Sequence, residues 1–258
     1  MIGRVLSFCL LCFSSLLYAE NIRVAAASDL RFALDDVIAS YKQQTQAEID
    51  VVYGSSGKLS TQIIHGAPYD LFFSADILYA QQLKAAGFAA SEPEIYALGR
   101  LVLWSADEDA SRLTLTDLTD ARFKRIAIAQ PAHAPYGKRA KEAMEAMGVW
   151  SLVQSKLVFA ENIAQAAQMT QTGAVDIAVI ALSLVKSPAF RSQGYSLIPQ
   201  ELHQPLSQSY VITKAGKDKA AVHHFARFMR TQSAYRIMKA YGFTVPEADA
   251  MTATQAKY

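Results

Sequence analysis

Along the first half of the chain, short apolar runs rich in β-branched residues alternate with segments whose apolar positions recur every three or four residues. In the first such segment, Leu30, Leu34 and Val37 fall on one stripe, the pattern of a helix packed against a sheet. This alternation is typical of βαβ units with a parallel sheet. The predicted elements are strands at 22–27, 49–53 and 70–73 and helices at 30–41, 58–64 and 77–86.

The second half repeats this layout without repeating the sequence, which indicates two similar lobes rather than a solenoid. A strand at 209–213 would carry the chain back, and 218–241 would add two helices to the first lobe. Two crossings between the lobes would form a hinge. The predicted elements of the second half are strands at 101–104, 125–129, 157–159 and 176–181 and helices at 137–147 and 163–172.

The sequence therefore predicts an α/β protein of two lobes, one of them discontinuous. Lobe I comprises residues 20–101 together with 212–247, and lobe II comprises 102–211. The last residues, 248–258, are polar and alanine-rich and lack periodicity. We expect this tail to be disordered.

Residues 1–19 have the layout of a secretion signal peptide. Arg4 precedes an apolar run at 5–17, and Ala19 offers a small residue for cleavage. The run is shorter than the roughly 20 residues of a membrane-spanning helix, so export to the periplasm is favoured over a membrane anchor. A lipid anchor at Cys12 is disfavoured because leucines precede it. Both cysteines, Cys9 and Cys12, lie in this segment, which leaves the mature chain no disulfide or thiolate chemistry.

Composition and charge narrow the function classes. The 258 residues are 52% hydrophobic, enough to fill the cores of two lobes. The formal net charge is +2, and loss of Arg4 with the signal leaves 24 basic and 23 acidic residues. A nearly neutral chain lacks the basic footprint of a nucleic-acid-binding protein.

Candidate chemistry lies where predicted strands give way to helices. Four junctions carry small or turn-forming residues: 27–29, 54–57, 135–137 and 160–163. In open α/β sheets ligands bind at the carboxyl ends of the strands. The helix N-termini there present unpaired N–H groups and partial positive charge, which suit an anion. Two junctions come from each half, so a small oxyanion could be held between the lobes.

Each junction also has a purely structural interpretation. Ser28 or Asp29 could simply cap the following helix. The serines at 55–56 could belong to a plain turn. Tyr136 could be a partly exposed loop aromatic, and Ile163 could pack in the first helical turn. The combination of the four junctions, rather than any one, favours a binding site.

Other motifs are absent from the sequence. A P-loop would need glycine in place of Val52 and Ser or Thr in place of Leu59. No Gly-x-Ser-x-Gly elbow is present, and no serine, histidine and acid can be assigned to a triad. The five histidines show no HExxH pair or other metal-binding spacing.

Six short strings, in register from about residue 22 to 245, resemble the periplasmic molybdate-binding protein family. Each string is short, but their order over most of the chain makes the resemblance specific. It implies a type II periplasmic-binding-protein fold with the ligand between two lobes. The strings are Ala25–Ser28, Gly54–Gly57, Ala67–Asp76, Ala134–Gly137, Ala160–Ile163 and Val179–Ser183.

The resemblance also implies how the ligand would be held. In this family molybdate is bound by hydroxyls and backbone N–H groups, without contact from arginine or lysine. Carried over by position, Ser28 and Ser56 would each offer a hydroxyl and an N–H from one lobe. Tyr136 and Ile163 would offer backbone N–H groups from the other. The metal would be bound only as the oxyanion of molybdate or tungstate, with no protein ligand on molybdenum and no further cofactor.

The sequence departs from the family pattern at two places. Some members have a tyrosine hydroxyl donor where this chain has Ala181–Ser183, so Ser183 is at most a supporting residue there. Asp29 stands where many relatives have an uncharged residue. Its carboxylate would repel a dianion unless it points away to cap the helix or is otherwise neutralised. Alternatively it could accept a hydrogen bond from a protonated oxyanion such as phosphate. Ser55 is a further candidate for a supporting role.

The resemblance implies a monomeric carrier that delivers its ligand to the permease and ATPase of an ABC importer and meets the membrane only through that permease. Two alternatives remain open. A sulfate or phosphate carrier could use the same fold. An exported enzyme, such as a small-acid dehydratase, would need a titratable group in the cleft, for which Asp29 and Glu161 are the candidates.

Overall fold

The computed structural model describes residues 21–190 and 193–246. The predicted signal peptide, 1–19, and the predicted tail, 248–258, lie outside the described residues. Within the described residues the chain forms two five-stranded sheets flanked by helices, as the alternating pattern predicts. The strands are β1 (Asn21–Ala27), β2 (Glu48–Gly54), β3 (Leu71–Ser74), β4 (Glu94–Gly99), β5 (Leu101–Trp104), β6 (Ile126–Ala129), β7 (Leu157–Ala160), β8 (Ile177–Ala181), β9 (Tyr195–Leu197) and β10 (Leu206–Ile212).

The two sheets have the same topology. The first has strand order β2-β1-β3-β10-β4 and the second β7-β6-β8-β5-β9. In each, the first three strands pair in parallel, and the fourth runs antiparallel to both of its neighbours. Because the parallel strands end on the same edge, the helices that follow them start at that edge of each sheet.

Helices cover both sheets. In the first helix the predicted stripe is buried, and Tyr41 lies with its ring 5.0 Å from that of Phe225 and 5.1 Å from that of Phe228. The C-terminal helix that carries Phe225 and Phe228 therefore packs against the first helix. The helices are α1 (Arg31–Lys42), α2 (Ser56–Ile64), α3 (Ile77–Ala85), α4 (Pro135–Ala146), α5 (Trp150–Val153), α6 (Ile163–Gln171), α7 (Leu182–Val185), α8 (Ala220–Phe228) and α9 (Gln232–Ala240), with a 3-10 turn at Ser28–Leu30 before α1.

Two strands and the return to lobe I differ from the sequence-based expectation. The prediction omitted β4 and β9. It also placed the return at residue 212, whereas β10 joins the first sheet from Leu206. Ser207, Gln208 and Ser209 interrupt the apolar pattern of this strand, and a bulge lies between Gln208 and Ser209. A strand whose interior carries buried polar residues has no clear hydrophobic period.

The chain crosses between the sheets twice. The first crossing is short, since β4 ends at Gly99 and β5 begins at Leu101. The second runs from the end of β9 through residues 198–205 into β10. These crossings lie side by side, because Ile198 N–H donates to the carbonyl of Leu101 (3.0 Å). The hinge predicted from the sequence would lie at these two adjacent connections.

The start of α4 depends on a glycine. A Cβ at Gly137 would overlap the carbonyl of Ala129 at the end of β6, so a side chain there would separate helix from strand. We expect Gly137→Ala to lower the free energy of unfolding by at least about 1–3 kcal/mol, the usual cost of overpacking. Urea unfolding would measure this. Lys138→Ala changes an exposed residue of the same turn and serves as the control. Its free energy of unfolding should stay within about 0.5 kcal/mol of that of the unaltered protein. Equal free energies of unfolding for the two variants would contradict the packing argument.

Candidate functional site

All four predicted donor residues line one small pocket between the lobes. Ser28 and Ser56 reach it from lobe I, and Tyr136 and Ile163 from lobe II. The pocket has a volume of about 10 Å³, on a scale where one water needs about 10–15 Å³. No lysine or arginine is among the described residues that line it. The remaining lining residues are Ala27, Asp29, Gly54, Ser55, Ala75, Ala134 and Pro135.

Ser56 is the first residue of α2 and is fully buried. Its Oγ accepts a hydrogen bond from the backbone N–H of Ala75 (3.0 Å). A hydroxyl that accepts one bond keeps its own hydrogen to donate. Its backbone N–H belongs to the first turn of α2 and has no partner within the helix. Ser56 can thus present two donors to an anion.

Ser28 bridges the two lobes. Its Oγ donates to Oδ1 of Asn162 (3.1 Å) and accepts from the N–H of Ala164 (3.3 Å). Neither Ser28 nor Asp29 makes a side-chain cap at the start of the 3-10 turn or of α1, so the capping interpretation is wrong. An anion would have to compete with Asn162 for the Ser28 hydroxyl hydrogen.

In lobe II, the starts of α4 and α6 face the pocket. Pro135 occupies the first position of α4, where a missing N–H costs nothing. Asn162 caps α6 by accepting from the N–H of Gln165 (3.0 Å). The first-turn N–H groups of Tyr136 and Ile163 have no partners within their helices. The helix dipoles of α2, α4 and α6 add partial positive charge at the pocket.

The side chain of Tyr136 does not belong to an exposed loop, because it is 2% exposed and crosses into lobe I. Its hydroxyl accepts from Nε2 of Gln208 (3.3 Å) and occupies the space that a Cβ at Gly99 would need. Burial raises the pKa of Tyr136 well above its usual range, so the phenol remains neutral. The sequence predicts a role only for the backbone N–H of Tyr136, because no local pattern shows that its ring packs against the other lobe.

Asp29 also lines the pocket and is 1% exposed. Nε2 of Gln208 donates to its Oδ2 (2.7 Å). Burial raises the pKa of Asp29 from its ordinary value to about 7, and the polar groups of Tyr136 and Gln208 offset this only in part. The carboxyl therefore does not point away from the site into solvent.

The two predicted supporting serines make contacts between the lobes. Ser183, at the start of α7, donates to the carbonyl of Asp29 (2.7 Å). Oγ of Ser55 is hydrogen-bonded to Nδ1 of His133 (2.9 Å). Beside it the N–H of Gly57 donates to the His133 carbonyl (2.9 Å), where a Cβ would approach that oxygen to 2.7 Å. Both serines thus lie where the lobes meet.

Two ion pairs also span the lobes, and they differ in burial. Arg139 meets Asp76 at 2.6 Å with side chains 5% and 6% exposed, and it also binds Glu142 at 2.6 Å. Lys58 meets Glu161 at 2.5 Å with side chains 52% and 43% exposed. Glu161, considered from sequence as a possible acid or base, thus lies at the exposed rim and does not line the pocket.

A larger cavity of about 410 Å³ adjoins the pocket and shares Ser28 with it. Asn162 lies on its lobe II side and Arg31 and Tyr53 on its lobe I side. Within the described residues, no group of three or more metal-ligating side chains is placed to hold a metal ion. None of the described helices has the length and apolar character needed to cross a membrane.

Two α/β lobes that enclose a small pocket and are joined by two adjacent crossings have the architecture of a solute-binding protein. The chain belongs to the family of bacterial extracellular solute-binding proteins, whose model matches residues 22–244. It is therefore a binding protein and not an enzyme.

Individual relatives refine this assignment. The molybdate-binding protein ModA of Rhodobacter capsulatus is 33% identical over 87% of this chain and 88% of its own length. The periplasmic molybdate-binding protein of Azotobacter vinelandii is 31% identical, with a TM-score of 0.81 over 88% of this chain and all of that structure. The chain is a member of the family that includes these proteins, which confirms the resemblance and the predicted fold class. The sulfate-binding protein SubI of Mycobacterium tuberculosis H37Rv, 14% identical, shares the fold with a TM-score of 0.70 over 90% of this chain and 89% of its own.

The buried ion pair should control how the lobes close. Arg139→Met leaves Asp76 buried without its cation, a loss that costs about 3–5 kcal/mol in a closed protein and that opening relieves. We expect a larger radius of gyration by small-angle X-ray scattering and a lower melting temperature. Lys58→Met removes the exposed pair and should change either property little, because such pairs contribute about 0.2–1 kcal/mol. Equal changes in the radius of gyration and the melting temperature of the two variants would show that burial of the ion pair does not control closure of the lobes.

Proposed function

We propose that the protein captures molybdate in the pocket between its lobes and holds it with hydroxyl and backbone N–H donors. The observation that carries this proposal is the convergence of Ser28, Ser56, Tyr136 and Ile163, two from each lobe, on one pocket without lysine or arginine. Two relatives named as molybdate-binding proteins, at 33% and 31% identity, support the choice of anion.

Neutral donors are sufficient for a dianion. Hydrogen bonds to a charged group contribute about 1.5–3 kcal/mol each, and each of these donors is held in place by its helix. The molybdenum atom needs no protein ligand, because only its oxygens meet the donors. No other cofactor has a part in the proposed function.

Binding requires the lobes to move. In the described conformation the pocket is too small for four oxygens around a metal. The lobes must therefore separate to admit the anion, and they then close around it with the donors further apart than in this structure. A ligand shifts this equilibrium only through contacts that it makes better in the closed form. Donors contributed by both lobes meet this condition, because they surround the anion only after closure.

Tungstate has the same charge and shape and should bind alongside molybdate. Sulfate and phosphate are the alternatives, and the 14% identical sulfate-binding protein shows that the fold accommodates another oxyanion. We propose further that the protein acts as a monomer in the periplasm, reached through the signal peptide at 1–19, and that it delivers the anion to the permease and ATPase of an ABC importer.

Removal of the Ser56 hydroxyl tests whether this residue donates to the anion. Ser56→Ala removes one donor to the anion, and we expect binding about 10- to 100-fold weaker, the equivalent of one charge-assisted hydrogen bond. Ser28→Ala should weaken binding at least as much, because it also removes two contacts between the lobes. Ser60→Ala changes another buried serine of α2 and serves as the control, with affinity expected within about twofold.

Isothermal titration of the mature protein, unfolded and refolded to remove any bound anion, would measure these affinities. Molybdate, tungstate, sulfate and phosphate should be titrated in parallel. Tight binding of the first two with weak binding of the others supports the proposal. Preference for sulfate or phosphate would overturn the choice of anion, and unchanged affinity in the Ser56→Ala and Ser28→Ala variants would overturn the site.

A further inference from the structure

The carboxyl group of Asp29 is buried in the wall of the pocket that contains the proposed donors. Its two oxygens differ in their surroundings. Oδ2 accepts from Nε2 of Gln208 at 2.7 Å, whereas Oδ1 is buried and has no hydrogen-bond partner among the described residues. A buried polar atom without a partner is costly, so Oδ1 is the oxygen left for a ligand.

The amide of Gln208 can only donate to Asp29. Its Oε1 accepts from the hydroxyl of Tyr96 (3.2 Å), which fixes the amide orientation and turns Nε2 toward Oδ2. Gln208 is fully buried and Tyr96 is 1% exposed. This arrangement orients the carboxyl group but supplies no positive charge to it.

The elements packed against Asp29 bring no cation to it either. Its turn contacts α1, α6 and α7, and neither α6 nor α7 contains a charged residue. On α1, Arg31 is exposed at the outer cavity. On β4 and α4, burial raises the pKa of Tyr96 and of Tyr136 well above the usual range, so both stay neutral.

One other titratable group borders the site. His133, just before α4, is hydrogen-bonded to Ser55, and burial lowers its pKa from the ordinary value. It is therefore neutral above pH 7 in the free protein. An ionised Asp29 would then face a bound dianion with no positive side chain between them.

We propose, on the basis of the function proposed above, that Asp29 belongs to the oxyanion site as a carboxylic acid whose Oδ1 carries a proton and donates it to the bound dianion. Oδ2 remains the acceptor for Gln208. Every side chain and N–H group assigned to the anion is then a donor. Such a site favours a fully deprotonated dianion, because the protonated Asp29 no longer offers a carboxylate to accept the hydrogen of hydrogen phosphate.

This role couples binding to proton uptake. Burial raises the pKa of Asp29 to about 7 in the free protein, and a bound dianion raises it further. Below pH 7 the free carboxyl already holds its proton, so the affinity is independent of pH. Above pH 7 the complex holds more protons than the free protein, so the affinity falls as pH rises, by up to about tenfold per pH unit.

Calorimetric titration of the unaltered protein with molybdate tests this without a variant. The titration is made from about pH 6 to about pH 9 in pairs of buffers with different ionisation enthalpies, which count the protons bound. We expect little uptake at the lowest pH and up to about one proton per molybdate above pH 7. Binding without proton uptake and with constant affinity would overturn the role of Asp29 while leaving the proposed function intact.

Asp29→Asn provides the matched variant, because its amide can accept from Gln208 and donate to the anion at every pH. We expect its affinity for molybdate to be independent of pH and its binding to take up no proton, so its affinity relative to that of the unaltered protein should grow as pH rises above 7. Persistent proton uptake in this variant would assign the proton to another group and overturn the proposal. Failure of the unaltered protein to bind molybdate at any pH would count against the proposed function itself.

Discussion

The free energy of removing charge from water constrains this cleft more than any other factor. An oxyanion bound there as proposed would lose its hydration, and the protein would have to replace those hydrogen bonds with donors already in place. In the proposed site the first turns of α2, α4 and α6 supply such donors without the desolvation of a buried arginine or lysine. The same cost acts on Asp29, whose burial without a cation favours its neutral form. The cost of removing charge from water therefore applies both to the ligand and to the side chain of Asp29.

Binding favours closure only if the donors that replace the hydration of the anion come from both lobes. The contacts that already join the lobes contribute to the same free energy of closure. Ser28 already bridges to Asn162 and Ala164, and Arg139 to Asp76. These contacts join the two lobes through protein groups alone. An anion bound as proposed would have to add to them, and if it took the hydroxyl hydrogen of Ser28 from Asn162 it would exchange one contact for another.

The sequence predicts the four junctions that meet at the pocket because each follows from local pattern. A strand followed by a small residue and a helix predicts where an N-terminus will lie, and the repeated topology brings four such junctions together. The local pattern does not indicate Gln208, because a polar residue inside a buried strand weakens the hydrophobic period that identifies the strand. Nor could it pair Asp76 with Arg139, which are 63 positions apart and lie in different lobes. The ring of Tyr136 was missed for the same reason, since its space is created by Gly99 in the other lobe.

Discrimination among oxyanions must arise from how the donors around the pocket are positioned, because the overall fold is shared with a sulfate-binding protein. Tetrahedral dianions of equal charge differ mainly in radius, so a site distinguishes them only if its donors are held at fixed separations. Backbone N–H groups meet this requirement better than long side chains, which can change their conformation to suit anions of different radius. The contacts of Gly57 with His133 and of Gly137 with Ala129 set the positions of α2 and α4 through close backbone packing, which yields little to a change of ligand size. If the protein binds its anion as proposed, Gly57 and Gly137 would contribute to selectivity by fixing where the donors lie.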